Sequence, residues 1–232
     1  MARRGEVIEN PLSGERLTFL KTTADTNGQS FEFEFVAPPG WSVSEHIHPR
    51  QKERTQLISG ILEGSVSGQE AKLNPGEARL VPAGVAHAWR NPSDEEEARF
   101  SVEFSPALNM ESGFETAWRL AREGKATAAG MPKNPLQLAV IASAHKDEAY
   151  LTRPPIPVQK AMVGALSLLA PVGRALGYRA RYPEYSGLEE PALREDESWS
   201  ESSIASGGVV TATVLAIFFV LFLLRRHSRS RR

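Results

Sequence analysis

The 232-residue chain contains no cysteine. Disulfides, thiolate metal sites and a Cys nucleophile are therefore excluded, and the redox compartment leaves no mark on the composition. Any metal site has to be built from His, Asp, Glu or water, which favours iron, manganese, nickel, copper or zinc over cluster chemistry. Strong charge of either sign is also lacking: the formal net charge is −1, which argues against nucleic acid as a partner. Histidine is scarce at five residues, and aromatics make up 8%. The N-terminal MARRGEVIENPLSGE has no apolar run of the kind a secretory signal needs. What remains, 41% hydrophobic and 24% charged residues, is the make-up of an ordinary folded domain.

Short strands are expected over residues 31–106. FEFEFV (31–36) alternates, placing Phe31, Phe33 and Phe35 on one face and Glu32 and Glu34 on the other. QLISGIL (56–62), GSVSG (64–68), ARLVP (78–82) and RFSVEF (99–104) follow at close spacing between Gly, Pro and Asn. Such a series predicts an antiparallel barrel or sandwich. From residue 107 the period lengthens. ESGFETAWRLAREGK (111–125), NPLQLAVIASAHKDEAY (134–150) and VQKAMVGALSLL (158–169) read as helices, the last ended by Pro171.

Within the β region, HIHPRQKER (46–54) sets His46 two residues before His48, and Glu53 five residues after that second histidine. Side chains two apart on a strand share a face, so both imidazoles project together. With Glu53 they suit a cation, or else they sit together on a polar edge by chance. Gly40 and Gly60 frame this stretch as G-x5-HxH-x4-E-x6-G. Further on, Gly76, Pro82, Gly84, His87 and Asn91 give G-x5-P-x-G-x2-H-x3-N.

These two patterns, in this order and 15 residues apart, resemble the paired motifs of the cupin superfamily. The resemblance implies a mainly β fold: an antiparallel, jelly-roll-type cupin barrel followed by C-terminal helices. It also implies that His46, His48, Glu53 and His87 ligate one divalent metal ion, Fe(II) first among Mn, Ni, Cu and Zn. Four protein ligands on an octahedral ion leave two positions for water or substrate, whereas a tetrahedral zinc would be closed by the same set. Gly40, Gly60, Gly76 and Gly84 are then expected at tight turns. Phe33, Phe35, Trp89, Phe100 and Phe104 are expected to line a substrate pocket suited to a small apolar or aromatic ligand. His145, beside Lys146-Asp147-Glu148, is read as solvated.

Function on this reading is that of a metal-dependent oxygenase resembling quercetin dioxygenase-type cupins, with Glu53 as ligand or catalytic proton carrier. A non-catalytic ligand-sensing module, or an isomerase or decarboxylase using the ion as a Lewis acid, fits the same ligands. Cupin analogy adds a homodimer. Along the chain, 1–106 is read as a barrel with its N-terminal lead-in and 107–182 as a helical extension. An acidic linker (183–206) follows, then a transmembrane helix (207–224) and a basic tail (225–232). VVTATVLAIFFVLFLL (209–224) is uncharged and followed by RRHSRSRR, so the sequence predicts a single-pass membrane anchor with the barrel on the cytoplasmic side.

Overall fold

A computed structural model describes residues 2–127 and 129–182. Ten strands come first: β1 (Val7–Glu9), β2 (Arg16–Lys21), β3 (Phe31–Ala37), β4 (Ser42–Ile47), β5 (Lys52–Ser59), β6 (Leu62–Val66), β7 (Gln69–Leu73), β8 (Ala78–Val81), β9 (His87–Arg90) and β10 (Ala98–Ser105). Helices α1 (Met110–Arg122) and α2 (Pro135–His145) precede the two-residue strand β11 (Tyr150–Leu151). Helices α3 (Ile156–Ser167) and α4 (Ala170–Ala175) follow it.

All strand pairings are antiparallel and form two sheets. One runs β1-β2-β3-β10-β5-β8 and the other β11-β4-β9-β6-β7. Alternation explains which faces meet: Phe31, Phe33 and Phe35 on β3 and Phe100, Val102 and Phe104 on β10 are all buried, while Glu32 and Glu34 between them are half-exposed. Rings from the first sheet pack with Val43 and Trp89 of the second in one apolar core. At ~25 cal/mol per Å² of apolar surface removed from water, burial of this aromatic layer is the dominant stabilising term.

Helix α1 closes one side of this core. Its apolar residues Met110, Phe114, Trp118 and Ala121 recur at helical spacing and are buried together. Glu111 in its first turn and Arg119 and Arg122 in its last complement the helix dipole. Pro171 does not end the third helical run by itself. It sits in the first turn of α4, where the missing N–H is tolerated, so the run becomes two helices.

The membrane expectation is corrected. Among the described residues no helix is long and apolar enough to cross a membrane. The longest, α1, has 13 residues, about 20 Å against roughly 30 Å of hydrocarbon. Segments 183–206, 207–224 and 225–232, on which the linker, the anchor and the cytoplasm-facing orientation rested, lie outside the described residues. His145 is likewise not solvated. It is 8% exposed at the end of α2, with Nδ1–H donating to the Ile141 carbonyl at 3.0 Å.

Candidate metal centre

Both sheets contribute to one cluster. His46 on β4 stands directly across from His87 on β9 in the antiparallel register. His48 lies just past the end of β4, where its carbonyl accepts from Gly84 N–H at 2.8 Å. Gly84 has φ +80°, a conformation that L side chains avoid, so the turn that delivers His87 is fixed by a residue without Cβ. Glu53 arrives from the opposite sheet, on β5 beside Phe104 of β10. All four side chains are buried, and one nitrogen or oxygen from each lies within 4.8 Å of all the others.

The imidazoles are aimed by backbone. His46 Nδ1 meets the Ser44 carbonyl at 2.8 Å, His48 Nδ1 the Glu148 carbonyl at 2.9 Å, and His87 Nδ1 the Val85 carbonyl at 3.1 Å. A carbonyl only accepts, so each Nδ1 carries the proton and donates it. Each Nε2 in a neutral ring then presents a lone pair to the cluster. Two of these lone pairs, on His46 and His48, face each other at 3.1 Å. A proton shared between them, or a cation at the convergence point, would hold that contact.

Glu53 is oriented just as firmly. Its Oε1 accepts from Thr55 Oγ1–H at 2.9 Å and from Trp89 Nε1–H at 3.2 Å. Its Oε2 faces inward, 2.9 Å from His87 Nε2 and 3.5 Å from His48 Nε2. Burial alone would raise this carboxyl, but His87 and His48 outweigh it and hold it well below the usual carboxylate range. Burial likewise disfavours a charge on His87, and the Glu53 carboxylate beside it still raises that imidazole. On His46 the pull of Glu53 is outweighed. Burial, reinforced by the neighbouring His48 and His87, pushes it down to about 3, so it is neutral across the physiological range.

A divalent cation fits this donor set. Nitrogen and oxygen donors about 2.1 Å from a shared ion, at right angles, are about 3 Å apart. The observed 2.9, 3.1 and 3.5 Å spacings are of that size. Three imidazoles and one carboxylate are also the ligand types that Fe, Mn, Ni, Cu and Zn accept, and among the described residues no other such cluster occurs.

Beside the cluster is a cavity of about 60 Å³. Phe33, Phe35, Trp89, Phe100 and Phe104 all line it, as does Trp41. Met110 and Phe114 reach it from α1. The three Nδ1 acceptors, Thr55 and these two α1 residues were not legible in the motifs. Thr55, two residues after Glu53 on one strand face, carried a usable signal; the Glu148 carbonyl, 100 residues from His48, carried none.

Known proteins resemble this stretch of the chain. The family profile described as "Cupin domain" matches residues 33–104. "Polyketide synthase CurC" of Streptomyces cyaneus is 35% identical over 102 residues, 44% of this chain and 66% of that protein. "Quercetin 2,3-dioxygenase" of Bacillus subtilis is 30% identical over 80 residues, 34% of this chain and 24% of that protein. The chain thus spans less than two thirds of either relative. Among solved structures, an RmlC-like cupin from Shewanella frigidimarina superposes with TM-score 0.39 at 22% identity, covering 45% of this chain and 86% of the other.

Proposed function

Because residues 33–104 carry a cupin domain, we propose that this protein is a metal-dependent oxygenase acting on a small organic molecule. His46, His48 and His87, through Nε2, and Glu53, through Oε2, are its metal ligands, and Fe(II) is the favoured ion. The observation that carries the reading is the buried convergence of one donor atom from each of His46, His48, Glu53 and His87 within 4.8 Å, with the imidazoles aimed by Nδ1–H bonds to backbone carbonyls. Four buried polar side chains converging on one point need a shared partner to offset their desolvation, and a divalent cation supplies it.

When bound, the ion supplies coordination positions beyond its four protein ligands, and with Fe(II) a route to dioxygen chemistry. A dioxygenase places both oxygen atoms of O2 in the substrate, so no separate reductant is required. The chain's own residues do the rest. Thr55 and Trp89 hold Glu53 so that Oε2 alone faces the centre, where it serves as a ligand. The phenylalanine walls keep water from the site and strengthen every charge interaction inside it. The likeness to quercetin 2,3-dioxygenase, 30% over 80 residues, supports this reaction class.

The test has two parts. Elemental analysis of the purified full chain is expected to find about one divalent ion per chain, with most of it gone from His46→Ala and His87→Ala. Equal metal in wild type and variants overturns the ligand assignment. Fe(II)-loaded protein is then offered short-chain carbonyl compounds and acids in an oxygen electrode, and traces that stay flat for every compound overturn the oxygenase reading.

A further inference from the structure

Helix α1 does more than pack on the barrel: it sets the size of the site. Phe114 stacks into the aromatic layer, 5.2 Å from the ring of Phe33, 6.4 Å from Phe31 and 5.9 Å from Trp118. Together with Met110, one turn earlier, it forms the cavity wall that the sheets leave open. Both side chains are buried, at 4% and 2% exposure.

The helix is latched in place by polar contacts, several of them from buried groups. Glu111, 4% exposed, accepts the Thr23 backbone N–H at 2.5 Å. Glu148, 2% exposed, accepts the Asn109 N–H at 3.1 Å, and Gln51 donates to the carbonyls of Pro106 and Ala107 at 3.0 and 3.1 Å. From the far side Arg181 donates to Asn109 and Ser112, and Thr116 Oγ1–H to the Ala180 carbonyl at 3.0 Å. Displacing α1 would strand several buried groups at once. It is a fixed plug.

What remains beside the ligands is about 60 Å³. A water needs about 10–15 Å³ on this measure, and an enclosed apolar cavity of about 150 Å³ takes a benzene ring. An aromatic ring therefore cannot be enclosed beside the ligands, even before an ion takes its share. Apart from the metal ligands and Trp side chains the walls are apolar, so only one end of a ligand can be polar.

We propose that Met110 and Phe114 are specificity-determining residues that confine the site to non-aromatic ligands of about five heavy atoms or fewer, with a single polar end toward the histidines. This rests on the metal-centre reading for the polar end, while the size limit stands on the cavity alone. The ligand class is a short-chain acid or carbonyl compound, not a flavonoid or an aromatic polyketide.

Two measurements separate these elements. In the Co(II)-loaded full chain, azide is expected to shift the visible cobalt bands of wild type, and catechol is expected to leave them unchanged. In Phe114→Ala, catechol should bind at least about tenfold more tightly than in wild type. Catechol binding wild type within about twofold of the variant overturns the proposal. In metal-free protein, benzene at about ten times its Kd is expected to raise the Tm of Phe114→Ala by about 4 °C and to leave wild type unmoved. Equal shifts in both, or none in either, overturn the size limit. Should Phe114→Ala not fold, Met110→Ala carries both comparisons. Failure of the wild-type chain to take up Co(II) sinks the metal reading, and the benzene comparison still decides the plug.

Discussion

Acidification of the metal-free protein isolates the contribution of His46. In the native state this imidazole is held down to about 3 from an ordinary value of 6.5. The unfolded chain therefore binds the proton first, and stability must fall as pH drops below about 6.5. The full depression, about 3.5 units at about 1.36 kcal/mol each, amounts to roughly 5 kcal/mol. Glu53 and His87 do not confuse the window between 6.5 and 4.5. Glu53 is depressed, so its contribution is present above 4.5 and lost below it. His87 is raised, so its contribution is complete below 6.5 and lost as pH climbs past that value. Across those two units His46 carries the slope among these three groups, about 2 kcal/mol in all. Urea unfolding of the chelated wild type and of His46→Gln at half-unit pH steps measures it. The difference between the two proteins should shrink by that amount as pH falls from 6.5 to 4.5. Parallel pH profiles would refute the argument, because they would mean that His46 is already solvated or already charged in the fold.

Other outcomes follow from single contacts. Thr55→Val removes one of the two donors to Glu53 Oε1 while keeping the side-chain shape; metal affinity by competitive chelation should fall about tenfold, with Thr55→Ser restoring most of it. An unchanged affinity in Thr55→Val would show that Trp89 alone orients the carboxylate. Gly64→Ala would put a methyl 1.9 Å from the Ala88 carbonyl oxygen, forcing β6 away from β9. A loss of about 3 kcal/mol or more in chemical denaturation is expected. Gly68→Ala, at φ +75° with open space around it, should lose only about 1–2 kcal/mol, and equal losses would refute the packing argument.

The four clustered side chains were legible because their spacing encodes geometry directly. HxH puts two imidazoles on one strand face, and P-x-G-x2-H writes out a turn followed by a strand. The alternating β3 and β10 were legible for the same reason: Phe and Glu take opposite faces every second residue. Where the pattern was weak, the boundaries shifted. QLISGIL read as one strand, yet β5 stops at Ser59, Gly60 turns at φ +84°, and β6 starts afresh at Leu62. β7, QEAKL, was invisible because only Leu73 of its five residues is buried. His145 beside three charged neighbours looked solvated, but Lys146 and Asp147 turn away while His145 and Glu148 face inward. β11 offered no signal at all. Its two residues pair with Ile47 and His46, and such a pairing across a hundred residues is set by tertiary packing, not by local propensity.

That last pairing changes what counts as the site. All four candidate ligand side chains and two of the three carbonyls that aim them lie within residues 33–104, the stretch matched to the cupin domain. The third carbonyl, Glu148, does not. β11 lies against the strand that carries His46, Glu148 fixes the His48 tautomer, and Phe114 closes the cavity. A barrel cut after β10 would keep its motifs and still leave His48 Nδ1–H without this acceptor. Losing one such outer contact typically weakens a metal site by about 10–100-fold. The motifs therefore specify which atoms can grip an ion, and the helices that follow specify how well they do so and what else fits beside it.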